Sequence, residues 1–249
     1  MKKGGRIMTI NYAHRGASGY YPENTMIAFE KAIEHGCTGI ETDVHMTKDG
    51  YLVLMHDEKI DRTTDGIGYI KDYNLEELRQ FDAGKWKMLD FSSERIPTVE
   101  ELIELAKSKD IIINFEIKTD VIWYKDIEQK LIEIIHKYNA SDKIIISSFN
   151  HYTIHKCKQI DKNIKTGLLY MEGLFEPHLY AKIVGADAIH PYFPAIDSKE
   201  VIDRVRSAGV MVNPYTINAE EVMKRFLDYG IDGIITNYPD KLKKLMEGK

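Results

Sequence analysis

Cysteine is scarce in this sequence: Cys37 and Cys157 are the two in 249 residues. They lie far apart, in or beside helix-like segments and without metal-type spacing, so two reduced thiols are expected rather than a disulfide or a thiolate metal site. Long apolar runs are missing as well. No stretch approaches the ~20 apolar residues of a membrane span. The basic start Met1–Arg6 is followed only by Ile7-Met8-Thr9-Ile10 before polar residues return, too short for the apolar core of a signal peptide. The expectation is a cytoplasmic protein without stable membrane association. Charge of one sign is not in excess: 34 basic residues stand against 39 acidic, a net of −5. With no basic, aromatic-interleaved tract, a nucleic-acid partner has no electrostatic footing. Internal repeats and low-complexity tracts are absent, and no glycine-rich phosphate loop follows the first strand-like run.

What is present fits a globular domain. Hydrophobic residues make up 43% and charged residues 29%, ordinary for a chain that buries a sizeable core. Short β-rich runs alternate with amphipathic stretches from end to end. The strands read as Ile7–Ala13, Gly39–Val44, Ile111–Ile117, Lys143–Ser147, Lys165–Leu169, Ala186–Ile189, Val210–Asn213 and Gly233–Thr236. The helices read as Thr25–His35, Thr98–Ser108, Ile122–Tyr138, Asn150–Ile160, Glu176–Val184, Ser198–Ala208, Ala219–Leu227 and Asp240–Met246. Apolar residues in the helices recur at three- and four-residue spacing, as at Ile127, Leu131, Ile134, Ile135 and Tyr138. Eight strands, each followed by a helix, predict an α/β fold of the (β/α)8 TIM-barrel type, which runs to about 250 residues. The competing open, doubly wound sheet usually carries the glycine-rich loop that is missing here.

One region breaks the rhythm. Tyr51–Leu54 reads as a small extra strand after the Asp49-Gly50 turn, and residues 56–96 are polar and turn-rich, with Asn74–Phe81 helical. This stretch falls between strand 2 and helix 2. It is read as an insertion over the catalytic face of a single domain spanning residues 1–249.

The chemistry-bearing residues sit at strand ends. Glu41 and Asp43 are two apart on a strand, so both point to one face. Inward carboxylates on an otherwise apolar strand are costly unless a hard divalent cation such as Mg2+ or Ca2+ joins them. Glu116 ends strand 3 and can complete a three-carboxylate set. Lys118, two residues on, reads either as a phosphate or leaving-group contact or as a salt-bridge partner of Glu116. His14 and His56 are candidates for general base and general acid, since imidazole titrates near neutral pH. Arg15 offers a planar fork suited to phosphate. The set points to hydrolysis of a phosphate ester. Of the other histidines, His35, His136, His151, His155 and His178 read as solvated. His45 is read as facing away from Asp43, outside the barrel, and His190 as a candidate pocket residue.

In order, these motifs resemble the glycerophosphodiester phosphodiesterases. His14-Arg15-Gly16 with Pro22-Glu23-Asn24-Thr25 resembles the family's opening signature. Glu41-Thr42-Asp43-Val44, Asp49-Gly50, Val53 and His56-Asp57 resemble its second block. Arg62-Thr63-Thr64-Asp65-Gly66, Asp82-Ala83-Gly84 and Arg95-Ile96-Pro97-Thr98 resemble its insertion. Glu116-Ile117-Lys118, Ser147-Ser148-Phe149 and Gly230-Ile231-Asp232-Gly233 follow. The resemblance implies a (β/α)8 barrel that hydrolyses glycerophosphodiesters to sn-glycerol 3-phosphate and an alcohol. One metal ion, Mg2+ or Ca2+, would be held by Glu41, Asp43 and Glu116. His14 and His56 would be the acid/base pair, and Arg15, Lys118 and Tyr215 would contact substrate. A cyclic phosphate, formed by the substrate's own glycerol hydroxyl and then opened by water, is the implied intermediate.

Two departures are visible. Many family members carry tryptophan near the end of strand 7, where this chain has Tyr215, and aspartate is common where it has Asn237. Tyr215 keeps an aromatic wall and adds a hydroxyl. Neither change is expected to touch the proposed catalytic groups. Two other readings of the site stay open: a lysophospholipase D that uses the insertion's Tyr69, Tyr73, Phe81, Trp86 and Phe91 as an apolar approach, and a barrel that binds a phosphorylated ligand without turning it over. The oligomeric state has no signature in the sequence.

Overall fold

The computed structural model describes residues 9–248 in full, together with the backbone of Lys2–Lys3 and Arg6–Ile7, which pair as a short antiparallel ribbon. Met1, Gly4 and Gly5 of the basic start, and Met8, the expected second residue of the first strand, lie outside the described residues.

Eight parallel strands form the barrel. They are β1 (Ile10–His14), β2 (Gly39–Met46), β3 (Ile112–Ile117), β4 (Ile144–Ser148), β5 (Lys165–Tyr170), β6 (Ala188–Pro191), β7 (Met211–Val212) and β8 (Gly233–Thr236). They pair in chain order from β1 to β7, and β8 returns to pair with β1. The seam between β7 and β8 carries backbone bonds instead of a regular ladder: Asp232 N–H donates to the Val212 carbonyl (3.2 Å), Ile235 N–H to Pro214 (3.1 Å) and Ile217 N–H to Ile235 (2.9 Å). The sheet is thus nearly closed, and its edges are covered.

The helices are α1 (Met26–Glu34), α2 (Val99–Lys109), α3 (Ile127–Lys137), α4 (His151–Ile160), α5 (Pro177–Val184), α6 (Lys199–Ser207), α7 (Glu220–Tyr229) and α8 (Pro239–Glu247). Local chemistry sets their starts. Thr98 and Glu101 form a capping box on α2, with Glu101 N–H donating to Thr98 Oγ1 and Thr98 N–H to Glu101 Oε2. The expected start of α3 at Ile122 is corrected to Ile127. Asp126 takes a left-handed conformation, φ 60°, which aspartate tolerates better than most residues, and Ile122 packs against the core from a loop. Periodicity alone could not separate the two.

Strand alternation decides what fills the barrel. Inside it Tyr12, Ile145 and Ile235 form a small apolar cluster. The Tyr12 ring occupies space that a side chain would need at Gly39 or Gly233, where an added Cβ would stand 2.5 and 2.7 Å from it. Beside this cluster lies a buried polar layer of Asn114, His190 and Asn213, with His190 Nε2 3.1 Å from Asn213 Nδ2. His190 is therefore a core residue below the site. Burial pushes it down to about 3, so it stays neutral in the fold and would charge in the unfolded chain. Its contribution to stability is complete above pH 6.5 and is lost as the pH falls toward the folded value. An NMR titration of the His190 ring C–H is expected to stay flat down to pH 5. An ordinary titration near 6.5 would contradict this assignment.

Leu52–Leu54 pairs antiparallel with the end of β2, as expected for a small hairpin. The segment that follows has its own core of Val53, Met55, Ile60, Ile70, Leu78, Ala83 and Ile96, with Tyr73, Leu75 and Phe81 against it. Within it Leu75–Leu78 is helical, capped by Asn74 and Glu77.

Candidate active site

Register gathers the site. His14 stands opposite Glu41 across β1 and β2, and Asp43 opposite Glu116 across β2 and β3. Glu41, Asp43 and Glu116 are all buried, and each offers an oxygen within 4.8 Å of the others. Lys118 Nζ donates to Glu116 Oε1 at 2.8 Å and lies 4.0 Å from Asp43 Oδ1. Lys118 thus pairs with Glu116, as one of its two readings expected. Asn24 Nδ2 donates to Asp43 Oδ2 at 2.9 Å, and Arg15 Nε lies 3.3 Å from the same oxygen.

Three buried carboxylates face two cations, and the imbalance shows. Burial, then the charges of Asp43 and Glu116, push the Glu41 carboxyl well above its ordinary range. Burial acts the same way on Asp43, but Arg15, His56 and Lys118 outweigh it and hold that carboxyl low. Asp43 Oδ1 is buried without a hydrogen-bond partner. An orphaned oxygen within a cluster of oxygen donors fits a hard divalent cation. The triad can hold a metal ion.

The two histidines flank this triad, and each is held by a different kind of group. His14 Nδ1 lies 2.6 Å from Asn237 Oδ1. An amide oxygen only accepts, so Nδ1 carries the hydrogen, and Nε2 faces the carboxylates, 3.8 Å from Glu41 Oε2. Burial and the Arg15 charge push His14 down to about 4. His56 Nδ1 lies 2.7 Å from Asp57 Oδ1, a carboxylate. Hydrogen bonds from Arg62, opposed in part by burial, hold Asp57 down at about 2.

A cleft of about 160 Å3 joins these groups. His14, Arg15, Glu41, His56 and Glu116 form its polar side, while Phe149, Leu169, Tyr215 and Ile235 form the apolar side. The Tyr215 ring packs edge-on against Phe149, with centroids 5.9 Å apart, and its hydroxyl donates to the Tyr170 carbonyl at 3.2 Å. The hydroxyl is therefore tied into the protein, and Tyr215 meets the cleft as a ring.

Three sequence readings need correction or extension. His45 is not outside the barrel. It lies two residues beyond Asp43, hence on the same face, and is fully buried. Its Nε2 lies 3.2 Å from the His56 carbonyl and its Nδ1 2.9 Å from Tyr124 Oη, so it supports the backbone of His56. Asn237 does touch a proposed catalytic group, since it is the partner of His14. Asn24, quoted in the opening motif without a role, holds Asp43. Its left-handed φ of 57° was the available signal, but it is a property of the backbone and not of the letters.

Residues 14–241 match the model of the glycerophosphoryl diester phosphodiesterase family. The chain is 45% identical to a glycerophosphodiester phosphodiesterase of Caldanaerobacter subterraneus subsp. tengcongensis, over 96% of this chain and 98% of that protein. It is 38% identical to one of Bacillus altitudinis, over 96% and 99%. A phosphodiesterase of Oleispira antarctica, solved in complex with the product sn-glycerol-3-phosphate, superposes with a TM-score of 0.90 at 28% identity, covering 97% of each chain. The family match spans the strand ends that carry the triad and both histidines, and on these grounds the chain is an enzyme that belongs to the glycerophosphodiester phosphodiesterase family.

Proposed function

We propose that the protein hydrolyses small glycerophosphodiesters to sn-glycerol 3-phosphate and an alcohol, with a divalent cation, Mg2+ or Ca2+, at Glu41, Asp43 and Glu116. The observation that carries the reading is the unlike pairing of two histidines across one cleft: a neutral amide on His14 and a carboxylate on His56. His14, neutral and with Nε2 bare toward the cleft, is the base that takes the proton from the substrate's glycerol hydroxyl. That oxygen forms a bond to phosphorus as the bond to the leaving oxygen breaks. His56, held at Nδ1 by Asp57, delivers a proton to the departing alkoxide. Water then opens the cyclic phosphate, with His56 taking the water's proton and His14 returning one to the glycerol oxygen. Arg15, on the polar wall, offers its guanidinium to the phosphate. When bound, a divalent cation supplies charge against the phosphate oxygens.

In the insertion, Tyr73 and Phe81 pack on each other at 5.5 Å and on the local core, so they are not an approach for an acyl chain. The relative from Oleispira antarctica was solved with sn-glycerol-3-phosphate.

The test is release of glycerol 3-phosphate from glycerophosphocholine and glycerophosphoethanolamine, after EDTA and again with Mg2+, Ca2+ or Mn2+ restored. Turnover that returns with metal is the expected result. Folded protein that turns over neither compound with any metal would overturn the reading. Choline release from lysophosphatidylcholine would then point to the lysolipid enzyme, and tight binding without product to the non-catalytic barrel.

A further inference from the structure

Arg62 lies in the turn-rich segment after the hairpin, outside the cleft lining and outside the barrel strands. Both edges of its guanidinium are occupied. On one edge Nε donates to Asp57 Oδ2 at 2.7 Å and Nη2 to Asp57 Oδ1 at 2.9 Å. On the other, Nη1 donates to Glu23 Oε2 at 2.9 Å and Nη2 to Glu23 Oε1 at 2.7 Å. Each carboxylate makes a further contact toward the cleft. Asp57 Oδ1 holds His56 Nδ1 at 2.7 Å, and Glu23 Oε1 accepts from Arg15 Nη1 at 2.9 Å. One planar cation therefore spans the two groups that orient His56 and Arg15.

As a source of stability this arrangement is a poor investment, because the Arg62 side chain is 45% exposed and exposed ion pairs contribute little. Its geometry has a different consequence. A carboxylate gripped at both oxygens cannot rotate, so the Asp57 plane is fixed, and with it the His56 ring. Without the grip Asp57, itself 28% exposed, can turn to solvent and release the ring. Lysine cannot replace the grip, since an ammonium is a point charge and cannot fork to two carboxylates. The His14 side of the cleft is held independently, by Asn237 after β8.

We propose that Arg62 is a positioning residue for the proton donor: through Asp57 it fixes the His56 ring, while Arg15 keeps its own contacts with Glu23 and Asp43. This rests on the reading of His56 as general acid, and the test separates the two. First-turnover rates are measured for glycerophosphocholine and for the p-nitrophenyl diester of glycerol 3-phosphate, with Arg62→Ala, Arg62→Lys and His56→Ala. An alkyl alcohol needs a proton to leave, whereas p-nitrophenolate does not. Reading the first turnover keeps the opening of the cyclic phosphate out of the measurement.

Both Arg62 variants are expected to slow choline release by about 10- to 100-fold, the scale of a misplaced catalytic group, and to leave p-nitrophenol release nearly unchanged. His56→Ala shows the same selectivity more strongly. If His56→Ala slows both substrates equally, the acid assignment fails. If His56→Ala is selective but the Arg62 variants slow both substrates equally, or neither, Arg62 merely anchors the insertion and the inference is overturned. Arg62→Lys keeps the charge and covers the case in which Arg62→Ala does not fold.

Discussion

His14→Ala is expected to lower the first-turnover rate by about 10²–10⁴-fold, the range for loss of a positioned general base, with any leaving group. The last clause is the demanding one. Attack on phosphorus requires the glycerol hydroxyl to lose its proton whether choline or p-nitrophenolate departs, so the loss must appear equally in both. The structure explains why no other group takes over. Asn237 fixes the hydrogen of His14 on Nδ1 and leaves Nε2 as the basic atom facing the triad. The nearest carboxylate, Glu41, is buried among other carboxylates in the triad that can hold a metal ion. KM should change little, because in the proposed mechanism Arg15 addresses the phosphate. First-turnover kinetics on the two diesters, with circular dichroism to confirm the fold, make the check. A loss confined to the choline ester would exchange the roles of the two histidines.

The barrel was legible because its signals are local. Runs such as Ile111-Ile112-Ile113 and Ile144-Ile145-Ile146 are too apolar and β-branched to be anything but buried strands, and amphipathic helices separate them. Glu41, Asp43 and Glu116 were legible for a related reason. A period of two places alternate residues on one face, and carboxylates on a buried face need a partner. The same rule, applied two residues further, puts His45 beside Asp43, so that error lay in the counting and not in the physics. Asn237 is a different case. Its bond to His14 joins positions 223 residues apart, brought together only when β8 closes on β1. Arg62 and Glu23, 39 apart, and the polar layer under the site likewise depend on which strands become neighbours. Lys118 stood between two readings because a lysine two residues from a glutamate can pair with it or reach past it, and only the rotamer decides.

Glu41→Gln is expected to make the metal-free protein more stable and the enzyme inactive. In EDTA the triad crowds three buried carboxylates within 4.8 Å of one another. Glu41 bears the strain, driven well above its ordinary range by burial and by Asp43 and Glu116. A carboxyl raised in the fold opposes folding, with no cost below its unfolded value and a growing one as the pH rises toward the folded value. Glutamine keeps the shape and an oxygen to accept the Arg15 backbone N–H, now 3.3 Å from Glu41 Oε2, while removing the charge. In EDTA at neutral pH the variant should therefore melt a few degrees above wild type. Adding metal inverts the order. A cation present at 100 times its Kd stabilises wild type by about 2.7 kcal/mol, or roughly 5–10 °C in a chain of this size. The variant, short of one anionic ligand, should gain little and lose at least about 10²-fold in turnover. Thermal shift with and without metal reads both halves, and neither half depends on activity. A Glu41→Gln protein less stable than wild type in EDTA, or one with an undiminished metal shift, would mean that the triad is a structural ion-pair cluster and that the cation, if the enzyme uses one, binds elsewhere.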